Sequence, residues 1–336
     1  KNAWETYSDK EKQQVASLSD QYKQFLNAGK TERECIREAV RQAEAAGYID
    51  LKQILDGTKP MQSKIYAVSM DKTMALFQLG KESLECGMQI VAAHVDSPRL
   101  DLKQRPLYED GGMAYLDTHY YGGIKKYQWV TLPLAIHGVI IKKDGTRIEL
   151  RLGESEDDPV VSVTDLLVHL SGEQLEKKAS KVIEGEALDL LVGNCPRSGE
   201  KEEAVKKGIL HLLEQQYQIT EEDFISAELE IVPAGKARDC GLDRSMIMAY
   251  GQDDRVCAFS SLSAFLATET PKRTACCLLV DKEEIGSVGA TGMKSRFFEN
   301  TVAELLNLTG DYSDLLLRRC LANSRLLSAD VGAAFD

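Results

Sequence analysis

Apolar positions along this 336-residue chain change their rhythm twice, and the changes divide it into three stretches. Residues 10–47 are rich in helix formers. They break at Asn27, Ala28 and Gly29, and Thr31 followed by Glu34 forms a capping-box pattern that opens a second helix, ending near Ala46 before Gly47. Residues 65–70 and 74–79 read as short strands, and 88–93 is apolar enough for an inner strand. From about Leu102 to Gly235 the texture turns β-rich: strand-like runs at 132–142, 147–152 and 224–232 are separated by an acidic turn at 153–159 and a polar segment at 198–203. Past Gly235, apolar strand and amphipathic helix alternate again through 245–250, 256–266, 275–281, 295–306 and 311–322.

This order predicts an α/β fold in which one domain, residues 1–103 and 236–336, is interrupted by an inserted β-rich domain at 104–235. Neither an internal repeat nor a low-complexity segment occurs. The insertion has a chemical consequence. His94 and Asp253 lie far apart in sequence but are both expected to end apolar strands of one sheet, and ligands of open α/β sheets gather beyond the carboxyl ends of strands.

Composition narrows the function. The chain is 43% hydrophobic and 28% charged, as expected of a globular protein, and no apolar run approaches the roughly 20 residues that span a bilayer. Its first residues have no signal-peptide character, which predicts a cytoplasmic protein. A formal net charge of −12 argues against nucleic acid and anionic membrane as partners, leaving small substrates, peptides or proteins. Eight cysteines contain no C-x-x-C pair, and Cys276 and Cys277 lie inside an apolar strand, so they read as buried thiols, neither a disulfide framework nor a zinc-thiolate site.

Candidate chemistry sits at the ends of the apolar strands. His94-Val95-Asp96 can act as a metal-ligating imidazole with an orienting carboxylate, although a single His at a strand end is more often structural. Asp253 and Asp254 follow a strand and open a helix, where Asp commonly serves as an N-cap. One can cap while the other bridges two metal ions about 3.5–4 Å apart, each oxygen serving one ion. Glu283 and Glu284 follow the run 275–280, and adjacent carboxylates there repel one another unless a cation neutralises them. The alternative is a solvated loop, but the Gly-rich run 286–292 would let backbone approach a site closely. In a functional pair, one Glu would bind metal and its neighbour would serve as general base. Asp330 alone is an ordinary Asp turn. His169 lies at helical spacing with Leu166 and Leu170, which favours core or interface packing. No G-x-S-x-G elbow, phosphate-binding P-loop or G-x-G-x-x-G turn is present.

Taken in order, AAHVDSPRLDLK (92–103), YYGGIKKYQW (120–129), VTDLLVHL (163–170), GQDDRVCA (251–258), DKEEIGSVGATG (281–292) and SADVGAA (328–334) closely resemble the aspartyl aminopeptidase, or M18, metallopeptidase family. The resemblance runs from about residue 60 to the end of the chain. It implies a zinc-aminopeptidase-like α/β catalytic domain, split by an inserted dimerisation domain and assembled into a homo-oligomeric dodecamer. Carried over by motif, His94 would hold one metal, Asp253 would bridge, Glu284 and Asp330 would complete ligation, and Glu283 would be the general base. Asp96 would orient His94, and His169 would reach a neighbouring subunit's active site. A final His ligand, from a stretch beyond SADVGAA, matches none of His119, His137 and His211.

The expected function is therefore a metallo-aminopeptidase releasing N-terminal residues from peptides, with two divalent ions, Zn²⁺ or alternatively Co²⁺ or Mn²⁺, acidifying the attacking water. Two rivals stand beside it: a related co-catalytic deacylase, and a non-catalytic scaffold that keeps the fold.

Overall fold

Period-2 burial on both faces of the central strands dictates a three-layer arrangement in the first of two compact units. The computed structural model describes residues 2–310 and 312–332. Its first unit comprises residues 1–97 and 236–336, and its second 98–235. The expected boundary at 103/104 is thus moved to 97/98, because a strand, Arg99–Asp110, runs unbroken through position 103 and pairs within the second unit.

The first unit holds a six-stranded sheet of β1 (Ile49–Asp50), β2 (Lys64–Ser69), β3 (Thr73–Gln78), β4 (Gln89–His94), β5 (Ala275–Val280) and β6 (Arg325–Ser328), in the order β1-β2-β3-β5-β4-β6. The hairpin β2–β3 and the pair β3–β5 are antiparallel, while β5, β4 and β6 run parallel. Helices α1 (Asp9–Ala28), α2 (Glu32–Ala45) and α3 (Gln252–Leu266) bury Phe25, Ile36 and Leu262 on one face, against Met74, Leu76, Cys277 and Leu279. Helices α4 (Phe297–Thr309) and α5 (Asp314–Asn323) bury Val302, Leu305 and Leu317 on the other, against Phe77, Ile90, Cys276 and Leu278. Alternate residues of one strand therefore feed two cores, and a strand apolar at every position results. The predicted capping box is present: Glu34 N donates to Thr31 Oγ1, and Thr31 N to the Glu34 carboxylate.

One expectation needs correction. The segment at 245–250 does not join this sheet. Its strand, Met246–Met248, pairs among the described residues with Arg238–Cys240 alone, in a two-stranded ribbon, since Met246 and Met248 are exposed and give a sheet interior nothing to bury. Asp311 and residues 333–336, the tail of the SADVGAA motif included, lie outside the described residues.

The second unit is a seven-stranded antiparallel sheet. At its centre Ala227–Pro233 lies between Leu134–Ile141 and Arg99–Asp110, which continues through a hairpin into Met113–Tyr121. A helix, Ala204–Tyr217, which the sequence reading did not place, adds to it. The helical spacing around His169 is also corrected. The chain there makes one 3-10 turn, Val168–Leu170, and Leu166, Leu167, Val168 and Leu170 are all more than half exposed, so His169 belongs to a surface, not a core.

Candidate metal centre

Three adjacent parallel strands carry their carboxylates and imidazole to one edge of the first unit's sheet. Register sets this: Val280 of β5 lies opposite His94 of β4, and Val95 N donates to Val280 O at 2.8 Å. On the other side of β4, Ala329 N donates to Ala92 O at 2.8 Å, which brings Asp330 to the same end. The segment opening α3 packs above, and within it Asp253 and Asp254 have non-helical backbone angles, with a cis peptide between them.

Two groups of side chains converge there. His94, Asp253 and Glu284 each place a ligand atom within 4.8 Å of the others, and so do His94, Asp254 and Asp330. His94 Nε2 faces the carboxylates, 3.2 Å from Asp253 Oδ1 and 3.8 Å from Glu283 Oε2. Its Nδ1 is taken by Asp96, 3.0 Å from that residue's carbonyl oxygen and 3.3 Å from Oδ1. Asp96, fully buried, does more than orient the ring: its two carboxylate oxygens accept the backbone N–H groups of Glu283 and Glu284, each at 3.2 Å. One carboxylate thus ties the His94 strand to the loop bearing both glutamates. That loop closes on itself, with Ser287 O 2.4 Å from where a Cβ on Gly292 would sit, so only glycine fits there.

The electrostatics are those of a crowded acidic site. Burial raises Glu284 to about 7, helped by the negative charge of Asp253 and opposed by His94. Burial likewise lifts Asp254 to about 6, against the pull of the Cys257 thiol and His94. For His94, burial favours the neutral ring, but the Asp96 hydrogen bond and the charges of Asp96, Asp254 and Glu283 outweigh it and raise the imidazole to about 9. Asp254 is wholly buried, and among the described residues its oxygens meet no donor stronger than the Cys257 thiol. A buried carboxylate so weakly compensated is costly, and it does not cap α3. A divalent cation is the partner such a donor set fits, with one imidazole and several carboxylates.

The sequence pointed to His94, Asp96, Asp253, Glu283, Glu284 and Asp330, and the structure brings all six to this edge. Asp254, set aside in favour of Asp253, joins them; the Asp-Asp pair was its signal. His169 belongs to the second unit, where it lines an open cavity of about 690 Å³ with Val130, Asp165 and Leu166.

Comparison with known proteins gives one consistent result. Residues 25–336 match the model of the family described as Aminopeptidase I zinc metalloprotease (M18). A Clostridium acetobutylicum protein named "Probable M18 family aminopeptidase 1" is 58% identical over 339 aligned residues, spanning all of this chain and 73% of the relative. The crystal structure of an M18 family aminopeptidase from Thermotoga maritima superposes with a TM-score of 0.94 at 43% identity, covering all of this chain and 73% of that one. A structure described as the S. cerevisiae mApe1 dodecamer shares the fold, with a TM-score of 0.73 at 20% identity, covering 95% of this chain and 72% of that one.

Proposed function

Because the chain belongs to the M18 zinc aminopeptidase family, a family of peptide hydrolases, we propose that it removes N-terminal residues from peptides at a two-ion site on this sheet edge. The observation that carries the reading is the convergence of His94, Asp253 and Glu284 beside a second carboxylate, Glu283, that stays accessible. His94 offers one lone pair, at Nε2, and so serves one ion. Two ions would then share a carboxylate, and Asp253, 3.2 Å from that nitrogen, is the one placed to be shared. Glu284 and Asp330 would complete the set, with Asp254 buried beside them.

When bound, divalent zinc supplies Lewis-acid polarisation of the scissile carbonyl and makes water a competent nucleophile near neutral pH. The protein's own residues do the rest. Glu283, its side chain about half exposed and its backbone N–H held by Asp96, takes the proton of the attacking water. As the water oxygen bonds to the carbonyl carbon and the C–N bond breaks, the same carboxyl returns that proton to the leaving amine. Asp96 keeps His94 Nε2 turned toward the ligands by occupying Nδ1.

The second unit is read as the assembly element. Its exposed apolar turn around His169 suits a contact between copies, and the fold's likeness to a dodecameric aminopeptidase supports a homo-oligomer. The rival reading of a non-catalytic scaffold has no observation in its favour here. Glu283→Gln decides the mechanism: zinc content by elemental analysis stays at the wild-type level while release of N-terminal residues from unblocked peptides falls by at least 10³-fold, as expected for a general base that also acts as acid. Near-normal turnover would remove Glu283 from the chemistry, and equal cleavage of an N-acetylated peptide would remove the aminopeptidase reading in favour of a deacylase.

A further inference from the structure

Behind the carboxylates lies a pair of contacts that the ligand set does not explain. Strand β4 ends at His94, and the next three residues run past the segment that carries Asp253 and Asp254. Two hydrogen bonds of opposite direction join them. Ser97 Oγ donates to the backbone oxygen of Asp253 at 2.7 Å, and Arg255 Nε donates to the backbone oxygen of Val95 at 3.1 Å. Both side chains are almost completely buried, Ser97 at 1% and Arg255 at 1% exposure. The Arg255 bond is buried and replaces solvent around the Val95 carbonyl, while the Ser97 bond, part-buried, ties down the backbone of the more exposed Asp253.

Arg255 makes the arrangement rigid. Its guanidinium lies 5.4 Å from the centre of the Tyr250 ring, and Nη1 has no hydrogen-bond partner among the described residues. That nitrogen sits 1.9 Å from where a Cβ on Gly251 would be, and Gly251 has φ +78°. The chain from 250 to 255 thus wraps the guanidinium of its own last residue, which only glycine at 251 permits. A fully buried arginine costs much desolvation, which its bond to Val95 O and its contact with the Tyr250 ring offset only in part, and core packing alone would be better served by an apolar side chain.

We propose that Ser97 and Arg255 are positioning residues that clamp the Asp253-Asp254 segment to the end of the His94 strand, holding both aspartates at ligand distance from the imidazole. The inference rests on the metal-centre reading above. Asp253 is otherwise held from one side only, since its carboxylate is more than half exposed. Fixing its backbone oxygen from below aims Oδ1 at His94 Nε2. The clamp touches no substrate and no reacting atom, so its effect travels through the ligands.

Ser97→Ala removes one hydroxyl and leaves the chain otherwise intact. In full-length protein its zinc affinity, measured by competition with a chromophoric chelator, should fall about tenfold or more, the usual consequence of losing a partner that orients a ligand. With Co²⁺ in place of zinc, the visible absorption bands should shift or lose intensity relative to wild type, and Ser97→Thr, which keeps the donor, should restore both. Gly251→Ala attacks the same clamp from the other side and should give the same cobalt signature. Should Gly251→Ala fail to fold, the Ser97 pair decides alone. A Ser97→Ala protein of lowered melting temperature but wild-type zinc affinity and cobalt spectrum would mean a merely structural contact and overturn the proposal. Absence of metal binding in wild type itself would overturn the metal-centre reading and the clamp with it, an outcome distinct from the first.

Discussion

At the scale of single residues, the proposed metal site sets protons against a cation. In the metal-free chain His94 keeps its proton up to about 9, Glu284 to about 7 and Asp254 to about 6, against ordinary values of 6.5, 4.5 and 3.8. All three are raised, so the folded chain binds more protons than the unfolded one between about pH 4 and 9. The stability they contribute is complete below the ordinary values and is lost as pH rises through the raised ones. Metal-free protein should therefore unfold at lower urea concentration at pH 9 than at pH 5, as measured by circular dichroism. Zinc displaces the same protons, so its apparent affinity should climb over that interval. An affinity flat with pH would mean that these groups do not form the site. The candidate ligands were legible because a charged side chain directly after an apolar strand is conspicuous. The double duty of Asp96 was not, because its hydrogen bonds to Glu283 and Glu284 join residues that only folding brings together.

Between elements, strand register and buried ion pairs decide what the chain can tolerate. In the second unit Arg99 opens a strand at 2% exposure, with Nε 2.7 Å from Asp101 Oδ1 and 3.1 Å from Glu230 Oε2, and its guanidinium stacks 4.0 Å from the Tyr121 ring centre. Glu230, itself 2% exposed, sits opposite Asp101 in the neighbouring strand. Truncating the cation leaves Glu230 buried in the sheet beside the partly exposed Asp101, with the charge of neither offset by the guanidinium. Arg99→Ala should lower unfolding stability by about 3–5 kcal/mol in urea titrations, the range for breaking one partner out of a buried pair. A loss below 1 kcal/mol would show that the carboxylates find other partners. Periodicity located β2 to β5 and the helices flanking them, since a residue set that buries alternately on two faces leaves a continuous apolar run. It did not distinguish a sheet strand from the exposed ribbon at Met246–Met248, because three apolar residues read the same in either setting.

Across the whole molecule, the exposed apolar turn at 166–170 is the surface proposed above to meet a second copy. Leu167 and Leu170 are 63% and 73% exposed in a chain of net charge −12, whose copies repel one another unless apolar contact offsets the repulsion. Introducing Leu167→Asp together with Leu170→Asp should reduce the particle mass measured by light scattering to that of a smaller species. An unchanged mass would place the contact between copies elsewhere.

What the sequence determined by itself is local: the helix cap at Thr31, runs of consecutive apolar residues that form strands, and acidic or imidazole side chains placed just past their ends. Such features depend on neighbours within a few residues, and composition and spacing carry them. Tertiary structure alone decided that β4, β5 and β6 lie side by side and parallel, so that His94, Glu284 and Asp330 share an edge. It alone turned Asp254 inward, away from solvent, and set Ser97 and Arg255 against the segment that carries both aspartates. These facts arise from packing between segments distant along the chain, where the cost of burying a charge or a carbonyl depends on which groups the whole fold places around it.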